Sequence, residues 1–367
     1  MKSEGTSKKK LKKALKTSTA VVLLTTAVLS VIYRLPFCFE SQNPAALAAA
    51  AFTLTNGEYK LENSKTEKPT ASDQKPTESA DTEPVAEKNH KRDKSTYYDS
   101  YGNHDGENKY TVEERTIGDT GTQVDNCFVK NKTGLSLDFD GLLSAKLPFS
   151  IDKGINSPQV LIYHTHTSEA YLDEDVDFFY DSFYSRTNNN DFNVVAVGDA
   201  LTEQLNKRGI KTVHDTTIHD ESYNGSYDRS VDTVYKNLEK YPDIKVVIDL
   251  HRDAIGTDEN KVKPVFTYNG KKGAQIMILA GCDTDGERGF DCWEENLNFA
   301  LKIQDKAETL YPDMTRPLNF DYFAYNEYVC NGSLLIEVGT ESNSIDEATY
   351  SGRSLLYIPQ SYNLLLP

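Results

Sequence analysis

Two histidines and a glutamate follow one another closely in VLIYHTHTSEAY, residues 160–171. His164, His166 and Glu169 come at the end of an apolar run that predicts a buried strand. Imidazole and carboxylate groups are the ligands of catalytic zinc, which keeps three protein ligands and one open position. We expect His166 and Glu169 to be ligands. His164 is expected to be a core histidine, a residue that orients Glu169 or the substrate, or an alternative ligand.

Two later strands carry groups of the same kind. The run VVIDLH ends in His251, and LLIEVG holds Glu337 among aliphatic neighbours. We expect His251 to be the third zinc ligand, with Asp249 and Asp253 as carboxylates that support it or replace a ligand. A buried carboxylate is costly unless it is paired or takes part in a reaction. Glu337 is therefore the predicted general base and acid, which takes a proton from a zinc-activated water and gives it to a leaving amine.

A separate pair of histidines, His214 and His219, lies in VHDTTIHD, and their spacing does not place them on one helix face. We interpret them, together with Tyr227 and Arg229 of the next turn, as substrate-cleft or structural residues. The chain has no GxSxG elbow and no glycine-rich phosphate loop of the usual form, so nucleophilic serine chemistry has no support.

From about residue 110, apolar strand-like runs alternate with helical periods. Strands are predicted at 159–164, 210–215, 244–250, 263–269, 274–281 and 333–339, and helices at 194–209, 229–241, 295–311 and from 342. This alternation predicts an α/β fold with a mostly parallel central sheet and helices on both faces. In such sheets ligands bind beyond the carboxyl ends of the strands, where the metal-competent groups fall.

The first 108 residues have a different composition. Residues 1–17 form a basic tail, followed by the apolar residues 18–35. Lysines before an apolar run predict a transmembrane anchor, or a cleaved signal peptide, with the rest of the chain exported. Residues 36–108 are the predicted disordered extracytoplasmic linker, because residues 53–108 are mostly polar and poor in aliphatic side chains. Residues 109–367 form the predicted hydrolase domain.

Charge and cysteine content restrict the possible partners and cofactors. The formal net charge is −16 despite the basic tail, so the rest of the chain is strongly acidic, which excludes nucleic acid as a partner. The five cysteines form no CxxC pair, which argues against a cysteine zinc cluster. One disulfide, such as Cys282–Cys292, is compatible with export, although spacing alone does not establish it.

Four segments resemble the stage II sporulation protein P family, membrane-associated cell-wall hydrolases of endospore-forming bacteria. They are VLIYHTHTSEAY, VHDTTIHDESYNGSYDRS, VVIDLHRDA and LLIEVGTESNSIDEA. That family is similar to the zinc-dependent N-acetylmuramoyl-L-alanine amidases. The resemblance implies Zn2+ held by His166, Glu169 and His251, with Glu337 as catalytic residue, and it leaves the choice between His164 and His166 open. It also implies peptidoglycan as substrate, with amidase and endopeptidase activity.

The resemblance further implies a place and partners. The protein would be a single-pass protein of the cell membrane at the sporulation septum, with its catalytic domain outside the cytoplasm. It would act in septal wall remodelling and engulfment, with stage II sporulation proteins D and M as partners. Two other functions remain open from the residues themselves. The HxxE…H pattern is also typical of zinc carboxypeptidases, here acting on stem peptides, and the chain could be a non-catalytic wall-binding scaffold.

Overall fold

The computed structural model describes residues 92–355. The predicted basic tail, the membrane segment at 18–35 and residues 36–91 of the predicted linker lie outside the described residues. Within the described part, no helix is both long enough and apolar enough to span a bilayer.

Strands and helices alternate through residues 109–354. The strands are β1 (Lys109–Arg115), β2 (Thr122–Val124), β3 (Cys127–Asn131), β4 (Val160–Tyr163), β5 (Phe178–Tyr180), β6 (Thr212–His214), β7 (Val246–Asp253), β8 (Asn260–Tyr268), β9 (Lys271–Ala274), β10 (Ile276–Gly281), β11 (Leu318–Asp321) and β12 (Ser333–Thr340). The α-helices are α1 (Phe139–Ser144), α2 (Val194–Lys207), α3 (Ser226–Lys240), α4 (Trp293–Leu310) and α5 (Ile345–Ser354). Two 3₁₀ helices span Lys94–Thr96 and Glu327–Val329. The helices and strands predicted after residue 158 are all present, with shifted ends.

The larger sheet has eight strands in the order β2-β3-β11-β10-β12-β7-β4-β6. Its neighbours are parallel except for the pairs β2–β3 and β10–β12. The predicted α/β fold with a mostly parallel central sheet is therefore confirmed. The strand order also puts β12, β7 and β4 side by side, and these are the strands that lead to the candidate site.

Helices cover both faces of this sheet. Val160 and Ile162 of β4 belong to the main core, which also holds side chains of α2, α4 and α5. The alternate residues Leu161 and Tyr163 pack with Val234 of α3 on the opposite side. Because side chains alternate along a strand, a run that is apolar at every position needs cover on both faces, as predicted.

A second sheet of four strands, in the order β5-β1-β8-β9, was not predicted. The strand expected at 263–269 belongs to this sheet, as β8, and not to the central one. It turns into β9 through Asn269 and Gly270, which have φ angles of 50° and 77°. Asn-Gly with two positive φ angles is the preferred two-residue hairpin turn, so this signal was available in the sequence.

Ordered structure begins before the predicted domain boundary at residue 109. The ring of Tyr97 stacks on Phe192 at 4.4 Å, and His104 stacks on Tyr180 at 4.0 Å. Lys94 Nζ also lies 2.7 Å from Asp173 Oδ2. The predicted disordered linker therefore extends too far, because its aromatic side chains pack on the domain even though aliphatic ones are scarce.

The Cys282–Cys292 disulfide, which the spacing left open, is not formed. All cysteines within residues 92–355, namely Cys127, Cys282, Cys292 and Cys330, are free thiols. Burial raises the pKa of Cys127 and of Cys282 to about 12, so both stay protonated and unreactive near neutral pH.

Candidate metal centre

Three neighbouring strands bring the predicted site residues to one edge of the central sheet. Strand β7 is parallel to both β4 and β12, so their carboxyl ends meet at that edge. The register places Glu337 of β12 beside His251 of β7, and Tyr163 of β4 beside Asp249. The residues that follow Tyr163 therefore lie close to His251 and Glu337, although they are far apart in the chain.

His166 lies in a turn, because β4 ends at Tyr163 and does not continue through the two histidines. The side chain is buried, and its ring centroid is 5.4 Å from that of His251. Its Nδ1 is buried without a hydrogen-bond partner. Burial lowers the pKa of His166 to about 4, although Glu169 acts in the opposite direction. The imidazole is therefore neutral near pH 7 and has a nitrogen free to bind a ligand.

His164 has both ring nitrogens engaged. Nδ1 donates to the carbonyl oxygen of Leu250 at 2.7 Å, so Nε2 carries no proton and accepts from His214 Nε2 at 2.8 Å. The side chain is completely buried, and burial together with His214 lowers the pKa of His164 to about 3. A histidine in this state has no nitrogen left for a metal. Its bond to Leu250 instead fixes the backbone next to His251.

Glu169 and His251 face each other at the centre of the site. Glu169 Oε2 lies 3.3 Å from His251 Nδ1 and accepts from the backbone N–H of Arg252 at 3.2 Å. Both side chains are buried. Burial raises the pKa of Glu169, but His251 and Arg252 outweigh it and hold that pKa far below its ordinary value.

The other nitrogen of His251 faces Asp249. His251 Nε2 lies 2.8 Å from Asp249 Oδ1, without the alignment of a hydrogen bond. Asp249 is held in turn by the backbone N–H of Thr165 at 2.8 Å and its hydroxyl at 2.6 Å. Burial lowers the pKa of His251, but Asp249 and Glu169 raise it more, so it lies well above its ordinary value. Two carboxylates around one imidazole thus create a place that favours a cation.

Glu337 is half-buried, and its Oε2 has no hydrogen-bond partner. Burial and the nearby carboxylate of Asp253 raise the pKa of Glu337 to about 8, while His251 acts in the opposite direction. The carboxylate of Asp253 already has a hydrogen-bond partner, because its Oδ2 accepts from Arg316 Nη1 at 2.8 Å. Asp253 is therefore a neighbour that affects Glu337 and is not free to replace a ligand.

Two observations near His251 are compatible with a zinc ion, although ligand atoms of His166, Glu169 and His251 do not all lie within 4.8 Å of one another. Two ligands of a tetrahedral zinc, each about 2.0–2.2 Å from the ion, lie about 3.4 Å apart. The separation of Glu169 Oε2 and His251 Nδ1 is 3.3 Å. The second observation is the buried Nδ1 of His166, which the protein leaves without a partner. Two imidazoles and a carboxylate are also a donor set that catalytic zinc uses.

A second acidic cluster does not fit a metal. Carboxylate oxygens of Glu114, Asp175 and Glu347 lie within 4.8 Å of one another. Two ammonium groups occupy the same place: Lys263 Nζ contacts Asp175 and lies 3.7 Å from Glu347, and Lys272 Nζ lies 2.7 Å from Glu114. These lysines already balance the negative charge, so the cluster is an ion-pair network.

Three of the residues interpreted as cleft or structural residues make structural contacts. His219 is buried, donates from Nδ1 to the carbonyl oxygen of His164 at 2.7 Å and accepts at Nε2 from Thr233 at 2.8 Å. Arg229 Nε donates to the carbonyl oxygen of His219 at 2.7 Å. His214 is paired with His164 as described. These three residues hold the loop around the site and do not line a cleft.

Aromatic and basic residues that were not predicted lie directly against the site. Tyr223 stacks on His166 with a centroid distance of 4.6 Å and an interplanar angle of 4°. The predicted cleft residue Tyr227 does contact His166, edge to face at 5.8 Å. Arg186 Nη2 lies 3.7 Å from Glu169 Oε1, and its Nη1 lies 2.7 Å from Asp220. The motif YNGSYDRS, which begins at Tyr223, is the sequence signal that could have identified this residue.

A family model described as stage II sporulation protein P matches residues 42–357. The chain belongs to the stage II sporulation protein P family. The stage II sporulation protein P of Bacillus subtilis (strain 168) is 28% identical over 205 residues, which cover 51% of this chain and 47% of that protein. The match thus spans about half the length of this curated relative.

Several solved amidases are similar in structure at low scores. The N-acetylmuramoyl-L-alanine amidase AmiC2 of Nostoc punctiforme has 9% identity and a TM-score of 0.29, covering 54% of this chain and 92% of that one. Ami1 of Mycobacterium smegmatis has 11% identity and a TM-score of 0.31, with coverages of 56% and 95%. The CwlD amidase of Clostridioides difficile, solved with the GerS lipoprotein, has 14% identity and a TM-score of 0.29, with coverages of 54% and 92%. Similarity at this level carries no conclusion about the site.

Proposed function

We propose that this protein is a zinc-dependent peptidoglycan hydrolase that cuts the amide bond between N-acetylmuramic acid and L-alanine. Membership of the stage II sporulation protein P family supports wall hydrolysis during sporulation. The observation that carries the proposal is the group of His166, Glu169 and His251 beside Glu337, with a buried imidazole nitrogen left unpartnered.

Each residue has a stated part in this proposal. His166 and His251 would bind zinc through imidazole nitrogens and Glu169 through its carboxylate, while Asp249 keeps the ring of His251 oriented from the other side. Zinc held there would polarise the amide carbonyl and lower the pKa of an attacking water. His164 is assigned a supporting part, since its two nitrogens are engaged by Leu250 and His214.

Glu337 would move the proton. Its Oε2 has no competing partner, so it can accept a proton from the attacking water and deliver it to the leaving amine nitrogen. A pKa raised to about 8 suits a carboxyl that both takes up and releases a proton near neutral pH.

The test is product analysis of purified peptidoglycan digested by the full chain, with and without a chelator. Chelator-sensitive release of intact stem peptides, identified by mass spectrometry, is the expected result. Shortened stem peptides would favour the carboxypeptidase or endopeptidase alternative. A protein that retains bound zinc and sediments with wall, yet releases nothing, would point to the scaffold function or to activation by a partner.

We also propose, from the family and the N-terminal sequence, that residues 18–35 anchor the chain in the cell membrane with the catalytic domain outside. Stage II sporulation proteins D and M are the proposed partners at the septum. Fractionation of sporulating cells, followed by co-purification from solubilised membranes, checks both points. Recovery of a shortened chain in the soluble fraction would favour a cleaved signal peptide.

A further inference from the structure

A row of aromatic side chains leads away from the site. Tyr227 contacts His166 and lies 5.5 Å from Tyr325, which in turn lies 4.5 Å from Phe323. We call Tyr227, Tyr325 and Phe323 the aromatic platform. All three side chains are partly exposed, and the neighbouring Tyr322 is 42% exposed. The protein therefore presents aromatic surface to solvent next to the groups that would do the chemistry.

The backbone holds Tyr325 in an unfavourable conformation. Its φ angle is 37° and that of Asn326 is 61°. For a bulky residue a positive φ is a genuine outlier, and such strain persists where the surrounding structure enforces it, often at functional sites. A loop selected only for stability would have glycine or asparagine at position 325, as it has asparagine at position 326.

Asn326 enforces this conformation. Its side-chain Nδ2 donates to the carbonyl oxygen of Tyr227 and to Ser230 Oγ, both at 3.1 Å, and its Oδ1 accepts from Tyr328 at 3.3 Å. Asn326 is buried, and these bonds tie the loop to α3. These hydrogen bonds of Asn326 keep Tyr325 beside Tyr227. The aromatic platform is therefore rigid before a substrate binds, which lowers the entropic cost of binding.

The charges near the platform decide which part of the substrate it suits. Asp321, the last residue of β11, comes two residues before Phe323 in the chain. The whole chain is also strongly acidic. Negative surroundings disfavour a stem peptide that bears carboxylates. A pyranose ring is uncharged, and its C–H faces can pack flat on aromatic rings.

We propose that the aromatic platform binds the sugar on the glycan side of the scissile amide, the N-acetylmuramoyl ring and its neighbour in the strand. This inference rests on the proposed function, because it takes the substrate to be a glycan-linked peptide. It assigns Tyr325 and Phe323 to substrate positioning and gives the active site a polarity, with sugar on the platform and peptide on the opposite side of His166.

The test is binding of a peptide-free glycan oligosaccharide to the full chain, measured by calorimetry, with the lactyl carboxyls of the ligand blocked as methyl esters so that it is uncharged. This ligand has no scissile amide, so the readout is independent of turnover. Loss of one aromatic side chain from a stacked contact is expected to weaken binding about tenfold in Tyr325→Ala and Phe323→Ala. Tyr325→Phe should keep the wild-type affinity. Tyr184→Ala, which removes a tyrosine that is 71% exposed and outside the platform, is the matched control.

Tyr325→Ala also changes the residue at the strained backbone position, so an effect in that variant alone would have two explanations. Phe323 is not at a positive φ, and Phe323→Ala leaves that backbone position unchanged. Unchanged oligosaccharide affinity in both alanine variants, or no binding by the wild-type chain, would overturn the proposal. A wild-type chain that binds the free stem peptide more tightly than the oligosaccharide, with that peptide binding lost in both alanine variants, would also overturn it. The proposed zinc amidase can fail independently of the aromatic platform. If oligosaccharide binding survives a chelator and the chain releases no stem peptide, the platform is supported and the hydrolase is refuted.

Discussion

Two groups of histidines lie side by side and differ in what their nitrogens contact. His164, His214 and His219 have their nitrogens engaged by backbone carbonyls, side chains or one another. The rings of His166 and His251 lie edge to face with centroids 5.4 Å apart, and a buried nitrogen of His166 is unpartnered. Buried polar atoms are almost always hydrogen-bonded, so an exception needs an explanation. The first group builds the loop, and the second is available for a ligand.

Glu337 and Glu327 can also be compared by the groups that surround them. Burial raises the pKa of both Glu337 and Glu327. Glu327 Oε2 accepts from the backbone N–H of Gly281 at 3.1 Å, in the interior of the protein. Glu337 lies beside His251 in the sheet register. The difference in neighbours, and not the pKa shift itself, separates a structural carboxyl from one that can react.

The largest expected effect comes from Glu337→Gln. Loss of the proton carrier should reduce amide hydrolysis by about 10²–10⁴-fold, because that is the usual contribution of general acid and base catalysis. Zinc content and thermal stability should stay at the wild-type level. Glu327→Gln is the matched control and should retain activity. Wall digestion at full rate by a zinc-loaded Glu337→Gln protein would refute the role given to Glu337.

His166→Ala and His164→Ala should differ in kind. The first should remove one ligand and lower the zinc content measured by elemental analysis, with little change in the stability of the metal-free protein. The second should keep zinc but lower the free energy of unfolding by about 1–3 kcal/mol, because buried partners lose their hydrogen bonds. His104→Ala, remote from both groups, serves as a control. The reverse pattern would mean that the two histidines have exchanged roles.

Gly198→Ala tests whether the close packing of His164 and His214 against α2 affects the free energy of unfolding. An added Cβ would lie 2.4 Å from His214 Nε2 and 3.0 Å from His164 Nε2. Overpacking of this kind typically costs about 1–3 kcal/mol. Denaturant unfolding of the single variant and of the Gly198→Ala/His214→Ala double variant measures the coupling. The double variant should recover part of the loss, and strict additivity would mean that the contact is not felt.

The pH dependence of the metal-free protein should reveal the neutral histidines. The pKa values of His164 and His166 in the folded chain, about 3 and about 4, lie below the unfolded value. Their contribution to stability is therefore complete above about pH 6.5 and falls as the pH drops toward the folded values. Between pH 6.5 and 5 this amounts to about 2 kcal/mol for each histidine. Urea unfolding at several pH values should show a shallower fall in His164→Asn, and equal slopes would contradict the assignment.

The hydrophobic patterns were enough to predict most of the central sheet. Runs such as those of β4, β7 and β12 are apolar at successive positions, and only a strand covered on both faces buries all of them. The four-stranded sheet was missed, because β5 and β9 are short and because both β5 and β8 pair with β1, which lies far away in the chain. The packing of residues 92–108 was missed because single tyrosines supply it and no periodic pattern does.

The sequence by itself determined which chemical groups stand at the ends of β4, β7 and β12, because residue type and local periodicity are properties of a short segment. Only the tertiary structure decided between His164 and His166. The partners of His164, Leu250 and His214, are 86 and 50 residues away, and they reach it only because β4, β6 and β7 are neighbours. Whether a buried nitrogen is satisfied depends on such distant contacts, so two histidines of one short motif acquire different functions.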